Sequence, residues 1–169
     1  MEIHKVKRTK KEIQVEWTEE SGTFNAAERE NPLPAFPAAM EALTPVALAI
    51  GHFPGEYASG LRVVGFVMSE QSGSPAVSLL CKKDLDDAAK TFDFRLPARA
   101  LTEPSSPGTY TPALSKDHAA IVTEAIEQAK AYVRGERAQG VIAFDEENES
   151  DDGSGLVEPD DLNEPMDLK

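Results

Sequence analysis

The sequence predicts an α+β fold: a largely antiparallel sheet of about five strands, in the order ββ-α-βββ-α, packed with two main helices. Three observations carry this. Several short stretches alternate apolar and polar residues at period two, two longer stretches repeat apolar residues at helical spacing, and the composition changes abruptly after Phe144. The expected organisation is a globular domain over residues 1–144 and a disordered acidic tail over 145–169.

The first strands are read from "EIHKVKR" and "EIQVEW", in which Ile13, Val15 and Trp17 alternate with Glu12, Gln14 and Glu16. Their turn, Thr9 to Lys11, is basic. Residues 18–32, "TEESGTFNAAERENP", hold no sustained periodicity and read as a loop with at most a short helical turn. In "PLPAFPAAMEALTPVALAIGHF", Phe36, Met40, Leu43, Ala47 and Ile50 share one helical face, and Gly51 follows as a stop signal. Pro45 lies inside this stretch, where it removes a backbone donor and crowds the carbonyl four residues back. A kinked helix or two short ones is therefore expected.

"LRVVGFVMSE" and "PAVSLLCKK" flank the turn-forming "QSGS" and predict a second hairpin. Both are apolar on both faces, as central strands covered on each side would be. Gly65 marks a bulge or a close backbone approach. "TFDFRLP" alternates Phe92, Phe94 and Leu96 with Asp93 and Arg95, a strand with one wet face. Residues 97–114 hold Pro97, Pro104, Pro107 and Pro112 and predict a long, stiff surface loop. From Ser115, an N-cap, "KDHAAIVTEAIEQAKAYVRG" keeps Val122, Ile126, Ala129 and Val133 on one face, widened by Ile121, Ala125 and Tyr132. Gly135 ends this helix.

Charge is distributed unevenly. The 169-residue chain carries a formal net charge of −13, yet residues 145–169 alone hold eleven carboxylates and one lysine. The first eleven residues, "MEIHKVKRTKK", set five Lys or Arg against one Glu. A basic edge and an acidic tail on one molecule are compatible with a polyanionic partner that the tail imitates. The single cysteine, Cys81, excludes an intrachain disulfide and favours a reducing cytoplasm. No signal peptide is read at the charged start, and no apolar run reaches the ~18 residues of a membrane span. The expected location is cytoplasmic.

The motifs point away from chemistry. His4, His52 and His118 fall on three different elements with no Cys or His at ligand spacing, so no metal site is expected. Placing Gly153 at the sixth position of a calcium loop puts Pro159 where a bidentate glutamate is required. "DLDDAAK" holds Asp84, Asp86 and Asp87, best read as a solvated connection. G-x-S-x-G, H-E-x-x-H, G-x-G-x-x-G and phosphate-loop patterns are all absent, and no cofactor is expected.

The basic residues are the candidate site. Lys5, Lys7, Arg8, Lys10 and Lys11 cluster on the first hairpin, with Lys82, Lys83, Arg95 and Arg99 at strand ends that a neighbouring rim would hold. Single-stranded nucleic acid is held by such cations together with aromatic side chains on which bases stack, each worth ~1 to 3 kcal/mol. Trp17 joins the set for that reason, and Phe53, Tyr57 and Tyr110 also lie near loops or strand ends.

Three stretches carry a resemblance: "AYVRGERAQ" at the last helix end, "PAAMEALTP" in the first helix and the glycine-containing strand "LRVVGFVMSE". Together they resemble small early-region proteins of tailed bacteriophages, over most of residues 1–144. The resemblance implies a setting near replication and recombination genes, in the host cell cytoplasm, and brings no catalytic residues with it. The tail "LVEPDDLNEPMDLK" is similar to those of single-stranded-DNA-binding proteins, which recruit partners and occupy the binding groove when DNA is absent. By that likeness Leu156, Asp160, Asp161, Leu162, Met166, Asp167 and Leu168 form the partner-binding segment, although the chain ends on Lys169 and not on an aromatic residue.

Two functional readings follow. In the first, a non-enzymatic phage accessory protein binds single-stranded DNA, and its tail competes for the basic surface or recruits replication or recombination proteins. In the second, a protein-interaction or counter-defence module uses the tail to mimic DNA and docks on a host or phage protein. An enzyme finds no support in an activated nucleophile, acid–base pair or metal set. The tail combines high charge with too little apolar surface to offset ordering entropy. Limited proteolysis is expected to release it first; a resistant fragment that retains residues 150–169 would contradict the boundary at Phe144.

Overall fold

The computed structural model describes residues 1–9, 12–28, 32–71, 73–85, 90–103 and 111–136. The boundary at residue 144, the partner-binding segment of the tail, Lys10 and Lys11 lie outside the described residues. The architecture is α+β, with one mostly antiparallel sheet and two helices. The strands are β1 (Glu2–Arg8), β2 (Ile13–Glu19), β3 (Gly22–Glu28), β4 (Leu61–Gln71), β5 (Ser74–Leu85), β6 (Lys90–Arg95) and β7 (Arg99–Ala100). The helices are α1 (Ala35–Gly51) and α2 (Lys116–Val133), with a 3-10 turn over Gly55–Ala58. The sheet order is β3-β2-β1-β4-β5-β6, and β7 pairs with β5 beyond the end of β6.

Two strands exceed the expected five. β3 occupies part of the segment read as a loop, paired residue for residue with β2 from Glu19–Gly22 to Ile13–Glu28. Its periodicity is silent because it is an edge strand with Phe24 as its only large apolar residue, and Phe24 is itself 40% exposed. β7 is two residues long, too short to leave a pattern. It pins one end of the proline-rich loop to β5, and Ala113 returns beside Ala100 in a parallel bridge.

Neither β1 nor β4 alternates cleanly in sequence, and the same device explains both. The β1–β2 register shifts between Ile3 and Lys5, and the β4–β5 register shifts between Val63 and Gly65. Each bulge inserts one residue, so Ile3 and Val6, like Val63 and Phe66, face the same side despite a spacing of three. All four are buried.

The core lies on one face of the sheet, under both helices. From α1 it takes Phe36, Met40, Leu43, Val46, Ala47 and Ile50; from α2 Val122, Ala125, Ala129 and Tyr132; from the strands Val6, Val15, Phe66, Val77 and Leu79. Ile126 and Val133 pack at its margin, so the apolar stripe of α2 is rotated toward Ala125 and Tyr132 relative to the expected face. Neither described helix packs on the opposite sheet face. Val67 and Leu80 are half-buried there, but Ala76 and Ser78 of β5 are buried on that same face, so the first half of β5 is covered on both sides, as its composition predicts, while β4 has its closer cover on the helix side.

α1 runs unbroken through Pro45. Pro45 and Glu41, whose carbonyl loses its partner, are both exposed, which leaves that carbonyl to water. The left-handed residue that ends α1 is His52, at φ 52°, and not Gly51. Gly51 leaves room for the Phe53 ring, which folds back over the last turn: a β-carbon there would lie 2.3 Å from that ring, so the ring would have to shift. α2 starts as expected, with the Ser115 hydroxyl accepting from His118 N–H at 3.3 Å. No helix among the described residues is long and apolar enough to cross a membrane.

β1 and β4 join two antiparallel meanders through three residue pairs, Lys5–Val67, Val6–Phe66 and Lys7–Gly65. A β-carbon at Gly65 would lie 2.1 Å from the Val6 carbonyl oxygen and 3.0 Å from Lys7 Cα, both backbone atoms of the partner strand. Gly65→Ala must therefore push the meanders apart, and it is expected to destabilise by about 3 kcal/mol or more, measured by urea denaturation. A loss below about 1 kcal/mol would show that the seam can yield.

Candidate functional site

The register of the sheet sorts the candidate residues by face. Val6, Phe66 and Leu79 mark the helix side, so Lys5 and Lys7 of β1, Arg62 of β4, Lys82 of β5 and Arg95 of β6 belong to the open side. One transverse row runs Lys7, Gly65, Leu80, Arg95 across four strands. Three interstrand steps separate its ends, about 14 Å between backbones. The row adjacent to it pairs Arg62 with Lys82 and Lys82 with Asp93. Four cations thus flank a stretch that holds the buried Gly65 and the half-buried Leu80.

Carboxylates on the same face restrain part of this charge. Lys5 Nζ lies 2.6 Å from Glu16 Oε1, Arg62 Nη2 is 2.7 Å from Asp84 Oδ1, and Lys82 Nζ is 3.2 Å from Asp93 Oδ2. All six side chains remain at least one-third exposed, so these pairs are solvent-screened and readily exchanged for another anion. Lys7 and Arg95 are exposed and make no ion pair among the described residues.

The remaining candidates face the helices. Lys83 is buried: its ammonium donates to the Ser59 carbonyl and sits 4.9 Å from the centre of the Tyr57 ring. Arg99 Nη2 donates to the Ile50 carbonyl at 3.4 Å, at the end of α1. Both spend their head groups on the protein's own oxygens. Arg8 is half-buried and, by register, on the helix side. Trp17 also lies there, opposite Ile3, with its ring stacked 5.6 Å from Phe24 and its indole N–H donating to Glu19 at 3.2 Å. The hairpin lysines and Trp17 therefore occupy opposite faces of the sheet.

Two features escaped the sequence reading. Arg62 joins the cationic face although its stretch reads as apolar, and its own alternation with Leu61 and Val63 is the signal for it. The second is an aromatic cluster at the β6 edge: Phe92 stacks on Phe94 at 5.6 Å, Phe94 meets Phe53 edge-on at 6.0 Å, and Phe53 stacks on Tyr57 at 4.8 Å. These rings come from two stretches distant in sequence, residues 53–57 and 92–94, which no local pattern joins.

A cleft of about 740 Å³ opens between the start of β1, the β4–β5 turn and α2. Ile3, Met68, Leu101 and Ile126 form its apolar wall, and Glu70, Glu127 and Lys130 its polar rim, where Lys130 is paired to Glu127 at 2.7 Å. His4 also lines it and is bound to the Thr18 hydroxyl at 2.6 Å. Among the described residues no three His, Cys, Asp or Glu side chains come together as a metal site. No family model, curated protein or solved structure matches the chain.

Cys81 lies in the core on β5, 1% exposed, and burial pushes its thiol up to about 11 from 9.0. The raised value means that the folded state holds the proton more tightly than the unfolded one. This contribution to stability is complete below pH 9 and is lost as pH rises toward 11. Cys81→Ala is expected to flatten the fall in stability over that window relative to the wild type. Parallel pH profiles in the two chains would place the thiol in water.

Proposed function

We propose that the chain is a non-enzymatic nucleic-acid-binding accessory protein that takes single-stranded DNA on the open face of its sheet. The observation that carries this reading is the grouping of Lys7, Arg62, Lys82 and Arg95 on one sheet face that no described helix covers. Phosphates seek such an array, and each neutralised phosphate releases counterions. Lys5 extends the face toward the first hairpin, whose basic turn continues in sequence through Lys10 and Lys11. The open face holds no aromatic side chain at these positions, so the contact is electrostatic and sequence-tolerant, as suits an accessory role in replication or recombination.

The acidic residues 145–169 enter this reading as a competing polyanion. They bring a net charge of −10 on the same chain as the cationic face, and tethering raises the effective concentration of a competitor to about the millimolar range. The same charge favours a second reading, in which the tail mimics DNA and docks on a host or phage protein.

A charge-reversed variant, Lys7→Glu with Arg62→Glu, is expected to weaken binding to single-stranded oligonucleotides at least about tenfold in an anisotropy titration. Wild-type affinity should fall steeply with salt. A folded variant that binds as tightly as wild type would end the open-face assignment. Deleting residues 145–169 should raise DNA affinity, most at low salt where screening is weakest. If truncation instead leaves DNA affinity unchanged and abolishes capture of a protein partner, the second reading holds.

A further inference from the structure

β6 ends the sheet, and no described strand pairs with its outer edge. Leu96 N–H donates to the Leu79 carbonyl at 2.9 Å, continuing the β5–β6 ladder by one residue. Inward and outward backbone groups alternate along an antiparallel strand. Those of Phe92 and Phe94 therefore face β5, and the N–H and C=O groups of Thr91, Asp93 and Arg95 point away from the sheet. Exposed edges are commonly blunted by a bulge, a proline or a covering element. β6 has an unbroken register with β5, and its Phe92 is 56% exposed, with Leu85 beside it at 46%.

We infer that β6 pairs antiparallel with β6 of a second copy of this chain, so that two sheets join edge to edge about a two-fold axis. Residues opposed in an antiparallel pair must point to the same side, so the axis passes through a residue and not between two. Three centres, at Phe92, Asp93 and Phe94, pair five or more residues of each copy within 90–96. An axis at Asp93 sets that carboxylate against its own copy, which is repulsive. An axis at Phe92 opposes Lys90 to Phe94 and leaves Arg95 beyond the strand. An axis at Phe94 places Phe94 against Phe94, Phe92 against Leu96, and Asp93 against Arg95 twice.

The last register is self-complementary, and it uses the outward backbone groups of Asp93 and Arg95 for its hydrogen bonds. Asp93 then lies between Lys82 of its own chain, 3.2 Å away, and Arg95 of the second copy. The other edge strand of the described sheet, β3, has no such pairing, because "GTFNAAE" contains no cation. Complementarity of β6 to itself is what identifies a second copy as the occupant.

Sedimentation velocity on the full chain over a roughly thousandfold concentration range, with circular dichroism to verify folding, tests this. The wild type is expected to dimerise. Phe92→Asp should abolish the dimer, and Arg95→Asp, which opposes carboxylates at both ends of the seam, should weaken it about tenfold or more. Combining Arg95→Asp with Asp93→Arg restores opposite charges across the axis and should recover dimerisation relative to Arg95→Asp alone. A wild type that stays monomeric, a dimer indifferent to Phe92→Asp, or a double variant no better than the single one would each overturn the proposal. Loss of oligonucleotide binding in Phe92→Asp with no change in association would also overturn it, and would assign the exposed ring to base stacking. Lys7 and Arg62, which test the nucleic-acid reading, lie outside this seam, so either idea can fail without the other.

Discussion

The approach of Gly65 to the Val6 carbonyl holds the two halves of the sheet together. The sheet consists of two antiparallel meanders, β1–β3 and β4–β6, and three residue pairs are all that join β1 to β4. At one of them the strands come so close that no side chain fits between them. Bulges at Ile3–Lys5 and Val63–Gly65 stand on either strand of this seam. They twist the strands locally and turn Val6 and Phe66 into the core together. Both are fully buried, so the seam is also the floor on which α1 and α2 rest.

That arrangement separates the molecule into two chemistries. The helix side collects the apolar volume, where side chains such as Phe36, Leu43 and Phe66 each contribute on the order of 1.5–3 kcal/mol by burial. It also neutralises the cations that fall on it, Lys83 through the Ser59 carbonyl and Tyr57, Arg99 through the end of α1. A buried ammonium is tolerated only with such partners. The open side keeps its charges in water, and there the ion pairs contribute little to stability. They leave the cations exposed, and the proposed binding role rests on that exposure.

The helices are narrower than the sheet, and both edges feel this. Trp17 and Phe24 stack at one edge and Phe92 and Phe94 at the other, each pair less covered than the centre. Ring stacking partly compensates for the missing cover. At β3 the compensation nearly suffices, because the strand is otherwise small and polar. At β6 it leaves Phe92 more than half exposed, on a strand whose outer edge no described strand pairs with.

The sequence by itself determined the α+β class, the two hairpins, both helices and their main buried faces, and the N-cap at Ser115. These are local: a period of two or 3.6 residues, a turn residue or a cap is written within one element and read without its neighbours. It also determined the concentration of negative charge after Phe144 and of positive charge before Glu12. Only the tertiary structure decided that residues 22–28 form a strand, since an edge strand open on both sides needs no apolar pattern. It alone sorted Lys7, Arg62, Lys82 and Arg95 onto one face and sent Lys83, Arg99 and Trp17 to the other. Strand partners and bulges set that division, through contacts among residues far apart in the chain. One inserted residue at Val63–Gly65 reverses the face of everything beyond it, and no reading of charge along the chain contains that information.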